Sequence, residues 1–113
     1  MKQGSTWLAK FILTRSMKIL AIEKEVNGAD WKNQEESLKQ EAHHVYDLYL
    51  QDQIREIYFN NEHNAVLVLE CESLEKANLL LNQLPLVKNK LIEFELMELK
   101  PYSGYSRIIK NSL

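Results

Sequence analysis

The sequence has few of the residues that build cross-linked, metal-bound or nucleotide-binding proteins. Among its 113 residues there is one cysteine, Cys71, which excludes an internal disulfide and any zinc site made of several thiolates. Only three glycines are present, and neither a Gly-rich phosphate loop nor a nucleophile elbow can be found. The Cys and His residues also lack the spacing of a ligand set. The sequence therefore predicts no cofactor and no metal site.

Charge and hydropathy exclude further classes. The net charge is −2 with both signs interspersed, so there is no basic stripe for a nucleic acid to follow. No apolar run approaches the roughly 20 residues that a membrane span requires. The lone cysteine is typical of a reducing compartment. We expect a cytoplasmic protein with neither a nucleic acid nor a membrane as partner.

The first 16 residues differ from the rest of the chain. Residues 1–16 are basic, contain no acidic residue, and hold a short apolar patch interrupted by Lys10. Strand-like sequence begins at Met17. We interpret residues 1–16 as an N-terminal extension, either disordered or a start-site artefact, and 17–113 as one domain with a C-terminal tail at 100–113. The alternative for the extension is an amphipathic segment that touches a membrane.

Six elements are predicted from Met17 onwards. Asn33 and Glu36 suggest a capping box for the first helix, Ser73 suggests an N-cap for the second, and Pro85 should end that second helix. The order strand, helix, strand, strand, helix, strand is that of a ferredoxin-like sandwich, an α+β fold with a four-stranded antiparallel sheet and two helices on one face. The predicted ranges are strand 17–25, a helix ending near Leu50, a hairpin of strands 53–59 and 65–71, a helix after Ser73, and strand 91–99.

The first helix has one apolar stripe, which we predict to be its core face. The adjacent His43 and His44 fall away from that stripe and lack the i, i+4 spacing of helical metal ligands, so they are expected in solvent. His63, in the hairpin loop, is expected to be an ordinary loop residue. The stripe consists of Leu38, Ala42, Val45 and Tyr49, flanked by Tyr46 and Leu48.

The central strands are apolar on both faces, yet two helices cover only one side of a sheet. One of two pairs, Ile19 with Ala21 or Leu20 with Ile22, must therefore lie on an uncovered face. A second copy packed sheet against sheet is the simplest cover, so we predict a homodimer. The tail is expected to cross to the partner, and folding back over its own sheet edge is the alternative. Its predicted dimer contacts are Tyr102, Tyr105, Ile108 and Ile109.

Residues 17 to about 109 resemble a known family. The strand from Met17 and the segments YLQDQIREIYF and AVLVLECESLEKANLLLNQLPLVKNKLIEFELMELKPYSGY are similar to muconolactone-isomerase-like proteins of the dimeric α+β barrel superfamily, which also includes YCII-related proteins. The stretch LPLVKNKLIEFELMELKPY is the most specific part. The resemblance implies a barrel made by two sheets and an isomerase, lyase or cofactor-free oxygenase acting on a small lactone or aromatic-derived acid. It assigns no catalytic residue to this chain.

The strand IREIYF offers a candidate catalytic pair. Glu56 and Tyr58 share one face of this strand, opposite Arg55, Ile57 and Phe59. A partly buried Glu56 with a raised pKa is a candidate base, while Tyr58 would hold an oxygen of the ligand. The alternative is a row of solvated edge charges with Arg55 paired across strands. The candidate pocket residues are Tyr46, Arg55, Glu93, Glu95 and Trp31, and Trp31 has the alternative role of packing the helix entrance.

Three functions remain open at this point. A small-molecule enzyme requires a carboxylate with a raised pKa inside a cavity. A non-catalytic ligand-binding dimer requires the same pocket but leaves Glu56, Glu93 and Glu95 solvated. A structural dimer requires a filled pocket.

Overall fold

The six predicted strands and helices follow one another along the chain in the predicted order. The computed structural model describes residues 16–109, so the interpretations of residues 1–15 and 110–113 lie outside the described range. Pro85 does more than end a helix, because it occupies the first turn of a separate short helix. Within the described range the elements are β1 (Met17–Glu25), α1 (Glu35–Leu50), β2 (Ile54–Phe59), β3 (Ala65–Cys71), α2 (Leu74–Asn82), α3 (Pro85–Lys88), β4 (Ile92–Leu99) and one 3₁₀ turn (Gly104–Arg107).

The strands form one antiparallel sheet in the order β2-β3-β1-β4. The two strands with apolar residues on both faces, β1 and β3, are central, as predicted. The edge strands carry Glu56 in β2 and Glu93 and Glu95 in β4, as predicted. This topology confirms the α+β class and is consistent with a ferredoxin-like fold.

The helices cover one face of the sheet. Ile19, Ala21 and Leu69 are completely buried on that face and form its core with Leu67 and with Leu81 of α2. The residues that alternate with them point to the other side, which we call the open face because no described helix covers it. The open face comprises Lys18, Leu20, Ile22 and Lys24 of β1, Glu56 and Tyr58 of β2, Val66, Val68 and Glu70 of β3, and Glu93, Glu95, Met97 and Leu99 of β4.

The start of α2 agrees with the sequence, whereas the start of α1 does not. The Ser73 hydroxyl accepts a hydrogen bond from the backbone N–H of Lys76 at 3.0 Å, so the predicted N-cap is confirmed. The predicted capping box of Asn33 is wrong. Helix α1 follows Gln34 without a side-chain cap, and Asn33 has a left-handed backbone with φ of 59°. An N-cap requires an extended backbone, so Asn33 serves the turn instead.

The apolar stripe of α1 is not the packed core face that its periodicity predicts. Leu38 and Tyr49 are 49% and 51% exposed, whereas Leu48, a flanking residue, is only 6% exposed. The reason is the position of the helix, since α1 packs mainly against β2 at the sheet edge and against α3 rather than against the central strands. Space therefore remains between its stripe and the sheet. Of the two histidines, His43 is exposed and His44 is half-buried.

Candidate functional site

A groove of about 1050 Å³ lies between α1 and the helix-covered face of the sheet. It is large enough for a small organic molecule. Much of its wall is aromatic, and these side chains are partly open to solvent, with Tyr46 58% and Phe59 64% exposed. The groove is thus the space left by the offset of α1. Its apolar lining includes Trp31, Leu38, Val45, Tyr46, Tyr49, Ile57, Phe59 and Phe94.

Two of the carboxylates that line this groove accept backbone N–H groups, and they come from different elements. Glu41 projects from α1, and its Oε1 accepts the backbone N–H of Leu86 at 3.0 Å. Glu23 projects from β1, and its Oε1 accepts the backbone N–H of Ala65 at 3.0 Å. Burial raises the pKa of Glu41, the hydrogen bond from Leu86 opposes that effect, and the negative charge of Glu23 raises it further. Glu41 therefore keeps its proton to a higher pH than an ordinary glutamate.

Sequence reasoning missed both carboxylates, although each leaves a signal. Glu41 lies three residues after Leu38 and four before Val45, so it interrupts the apolar stripe of α1. Glu23 continues the alternation of Ile19 and Ala21, so it lies on the helix-covered face of the sheet. A charged residue within an apolar pattern indicates a carboxylate on a face that is otherwise apolar, and both of these carboxylates line the groove.

Glu56 and Tyr58 form a pair, as their spacing suggests. The Tyr58 hydroxyl donates a hydrogen bond to Oε1 of Glu56 at 2.8 Å. This bond, together with the charge of Glu56, raises the pKa of Tyr58. Strand register places both side chains on the open face, although both residues also border the groove. Because β2 is an edge strand, the pair lies at the outer rim of the groove and is exposed to water.

Arg55 occupies a bulge in β2. The pairing register shifts between Ile54 and Glu56, which leaves Arg55 as the extra residue. Its guanidinium Nε lies 3.5 Å from a carboxylate oxygen of Glu70, and one terminal nitrogen lies 3.5 Å from Asp52. Arg55 therefore makes the cross-strand ion pair that was the alternative to a catalytic role, while still bordering the groove.

The other predicted pocket residues separate into two groups. Trp31 and Tyr46 line the groove. Glu93 and Glu95 lie on the open face, where Glu95 pairs with Lys24 at 3.0 Å. His63 also lines the groove, and its ring stacks on Phe59 with 4.2 Å between the ring centroids. A loop residue thus extends the aromatic wall, which sequence reasoning did not anticipate.

The described part of the tail leaves its apolar side chains in solvent. Tyr102 is 70% exposed and Ile108 77% exposed, so the tail does not bury them against its own sheet. The rings of Tyr102 and Tyr105 meet edge to face, with centroids 5.0 Å apart. Gly104 permits this arrangement, because a β-carbon there would collide with the Tyr102 ring. The tail therefore presents an exposed aromatic pair.

Between residues 16 and 109, no three His, Cys, Asp or Glu side chains cluster closely enough to hold a metal ion. Over the same residues, no helix has the length and apolar character needed to cross a membrane.

Comparison with known proteins does not assign a family. No protein-family model matches the chain, and no curated protein matches it significantly. The resemblance to muconolactone-isomerase-like proteins therefore stays a prediction.

Proposed function

We propose that the chain is a small-molecule enzyme of muconolactone-isomerase-like type, an isomerase, lyase or cofactor-free oxygenase that binds its substrate in the groove between α1 and the sheet. One observation carries this proposal: a carboxyl group with a raised pKa, Glu41, lies inside an aromatic groove. Perturbed carboxyl groups in clefts are typical of catalytic sites.

Isomerisation is the reaction that this geometry supports best. A carboxylate with a raised pKa is a stronger base than an ordinary one, so Glu41 can take a proton from a carbon beside a carbonyl and return it to another carbon of the same ligand. Proton balance is then kept without an external reductant or oxidant. In the described part of the chain the hydrogen bond from Leu86 engages Oε1 of Glu41, which leaves Oε2 for the substrate.

Glu56 and Tyr58 are the second candidate pair. Their hydrogen bond organises a carboxylate and a phenol at the groove rim, but both side chains are exposed to water there. A second copy of the chain over the open face would remove that water. We therefore propose Glu41 as the first candidate base, with Glu56 and Tyr58 as a pair whose role depends on dimerisation.

The proposal includes a homodimer in which two open faces pack together. Half-buried Leu20, Ile22, Val66 and Val68 form the apolar centre of this face, and Met97 beside them is 49% exposed. The exposed aromatic tail supplies further apolar surface for a partner. Two sheets joined in this way give the dimeric barrel that the resemblance implies. The lone cysteine is consistent with a cytoplasmic location.

A non-catalytic ligand-binding protein is the second candidate. Glu56, Glu93 and Glu95 are all exposed, which is the arrangement expected if none of these three is a base. The groove alone would then define the function.

A ligand screen followed by a proton-exchange assay separates the two candidates. Lactones, hydroxy acids, aromatic metabolites and small organic amines are tested for a rise in the melting temperature, since a ligand of the folded state stabilises it by mass action. Each hit is then incubated in D₂O with the wild type and with the Glu41→Gln, Glu56→Gln and Glu75→Gln variants. Glu75 is an exposed residue of α2 outside the groove and serves as the control.

An enzyme is expected to introduce deuterium into the ligand, and Glu41→Gln should remove this activity while Glu75→Gln retains it. Binding without exchange would favour the non-catalytic candidate. Exchange lost only in Glu56→Gln would move the catalytic base to the rim. Absence of any hit would contradict the groove as a binding site.

A further inference from the structure

The groove has an uneven charge. Glu23, Glu41 and Glu56 contribute carboxylates to its lining, and Glu25 and Glu62 add two more. The lining residue of opposite sign is Arg55. Because Arg55 already pairs with Asp52 and Glu70, its charge is largely compensated. An anionic ligand in this groove would be repelled by these carboxylates, whereas a cationic ligand would be attracted.

The aromatic walls of the groove also favour a cationic ligand. Trp31, Tyr46, Tyr49 and Phe59 line the groove, and the negative face of an aromatic ring attracts organic cations. These rings also provide a flat apolar surface for the body of a ligand. Carboxylates with aromatic rings are the combination that recognises ammonium groups in proteins.

We propose that the ligand of this groove is a small organic amine with a flat apolar body, bound with its ammonium group against Glu41 and Glu23. This inference rests on the proposed function, because it uses the same groove. It replaces the acid or lactone implied by the resemblance with a cationic ring compound. The volume of about 1050 Å³ accommodates such a molecule with room for water.

The neighbouring carboxylates support the proposal. Glu41 and Glu23 enter the groove from α1 and β1, and each has one carboxylate oxygen held by a backbone N–H, so their second oxygens can accept hydrogen bonds from an ammonium group. Glu41 also has a structural contact, since its Oε1 accepts the N–H of Leu86 at the start of α3. A glutamine at this position keeps a carbonyl oxygen for that contact, so Glu41→Gln tests charge while preserving the fold.

Three probes of one shape test the inference: 2-phenylethylamine, the neutral 2-phenylethanol and the anion 3-phenylpropionate. Their affinities are measured by calorimetry or by chemical-shift titration at neutral pH. We expect the amine to bind about tenfold more tightly than the alcohol, because charged hydrogen bonds are stronger than neutral ones. The preference should fall with added salt and should be largely lost in Glu41→Gln and Glu23→Gln but kept in Glu75→Gln.

Each outcome is decisive. If the alcohol or the anion binds as tightly as the amine, the cationic ligand is wrong while the groove and the proposed function stand. If the preference for the amine survives in both groove variants, the ammonium group is bound elsewhere and the inference fails. If none of the three probes binds, the inference is overturned as well, and the ligand screen shows separately whether the groove binds a small molecule.

Discussion

Met97→Glu is the sharpest test of the proposed dimer. Met97 lies on the edge strand β4 beside Leu20, with half of its side chain exposed on the open face. In a face-to-face dimer with two-fold symmetry, both copies of Met97 fall in or beside the interface. A glutamate at this exposed edge position leaves the monomer folded, since β4 already carries Glu93, Glu95 and Glu98, but it would place two carboxylates in the interface.

The expected loss follows from burial. Complete burial of a methionine side chain contributes about 1.5–3 kcal/mol, so burying the exposed half contributes about 1 kcal/mol per protomer and about 2 kcal/mol per dimer. This alone weakens the dimerisation constant about 30-fold. Desolvation of two unpaired carboxylates adds several kcal/mol. A dimer that is stable at micromolar concentration should therefore become monomeric.

Sedimentation velocity across a concentration series measures this effect. The matched control is Leu79→Glu, which adds the same charge to an exposed apolar residue of α2, away from the open face. Thermal melts confirm that both variants are folded. The reasoning is refuted if the wild type is monomeric at high micromolar concentration, or if Met97→Glu dimerises as tightly as Leu79→Glu.

Three further predictions concern single residues. Folding raises the pKa of Glu41, so the stability contributed by its protonation is fully present below the ordinary glutamate pKa and is lost as the pH rises through the raised folded value. Glu41→Gln should therefore have a higher melting temperature than the wild type at neutral pH, and this difference should shrink on acidification. A difference that does not change with pH would contradict this prediction. Glu56→Gln should return the raised pKa of Tyr58 towards its ordinary value, as measured by ultraviolet titration of the phenol, whereas an unchanged titration curve would show that the hydrogen bond is absent in solution. Ser73→Ala should lower the free energy of unfolding in urea by about 1 kcal/mol through loss of the N-cap, and a loss below a few tenths would mean that the cap is replaced by water.

Much of the sheet was predictable, because its signals are local. Short apolar runs placed β1 and β3 at their observed bounds, and the apolar residues on both faces of these strands placed them at the centre. The Ser73 cap was equally local. Asn33 was not, since its side chain suits both an N-cap and a left-handed turn, and only the path of the chain before α1 decides between them.

The groove was less predictable, because it depends on the distance between elements that are separate in the sequence. The periodicity of α1 identifies its apolar stripe but not the distance between that stripe and the sheet. Because α1 packs beside β2 and α3, Leu38 and Tyr49 line a groove instead of filling a core. The same offset brings Glu41 near Glu23, which is 18 positions away in the sequence.

The one-dimensional pattern was thus sufficient for the element order, the central strands and the existence of an uncovered sheet face, since each depends on residues that are neighbours along the chain. Tertiary packing alone decided that a groove exists, that Glu41 is the carboxylate with a raised pKa, and that Glu56 and Tyr58 stand at its rim rather than inside it. Burial and electrostatic coupling depend on distances between separate elements, and those distances are set by how α1 rests on the sheet.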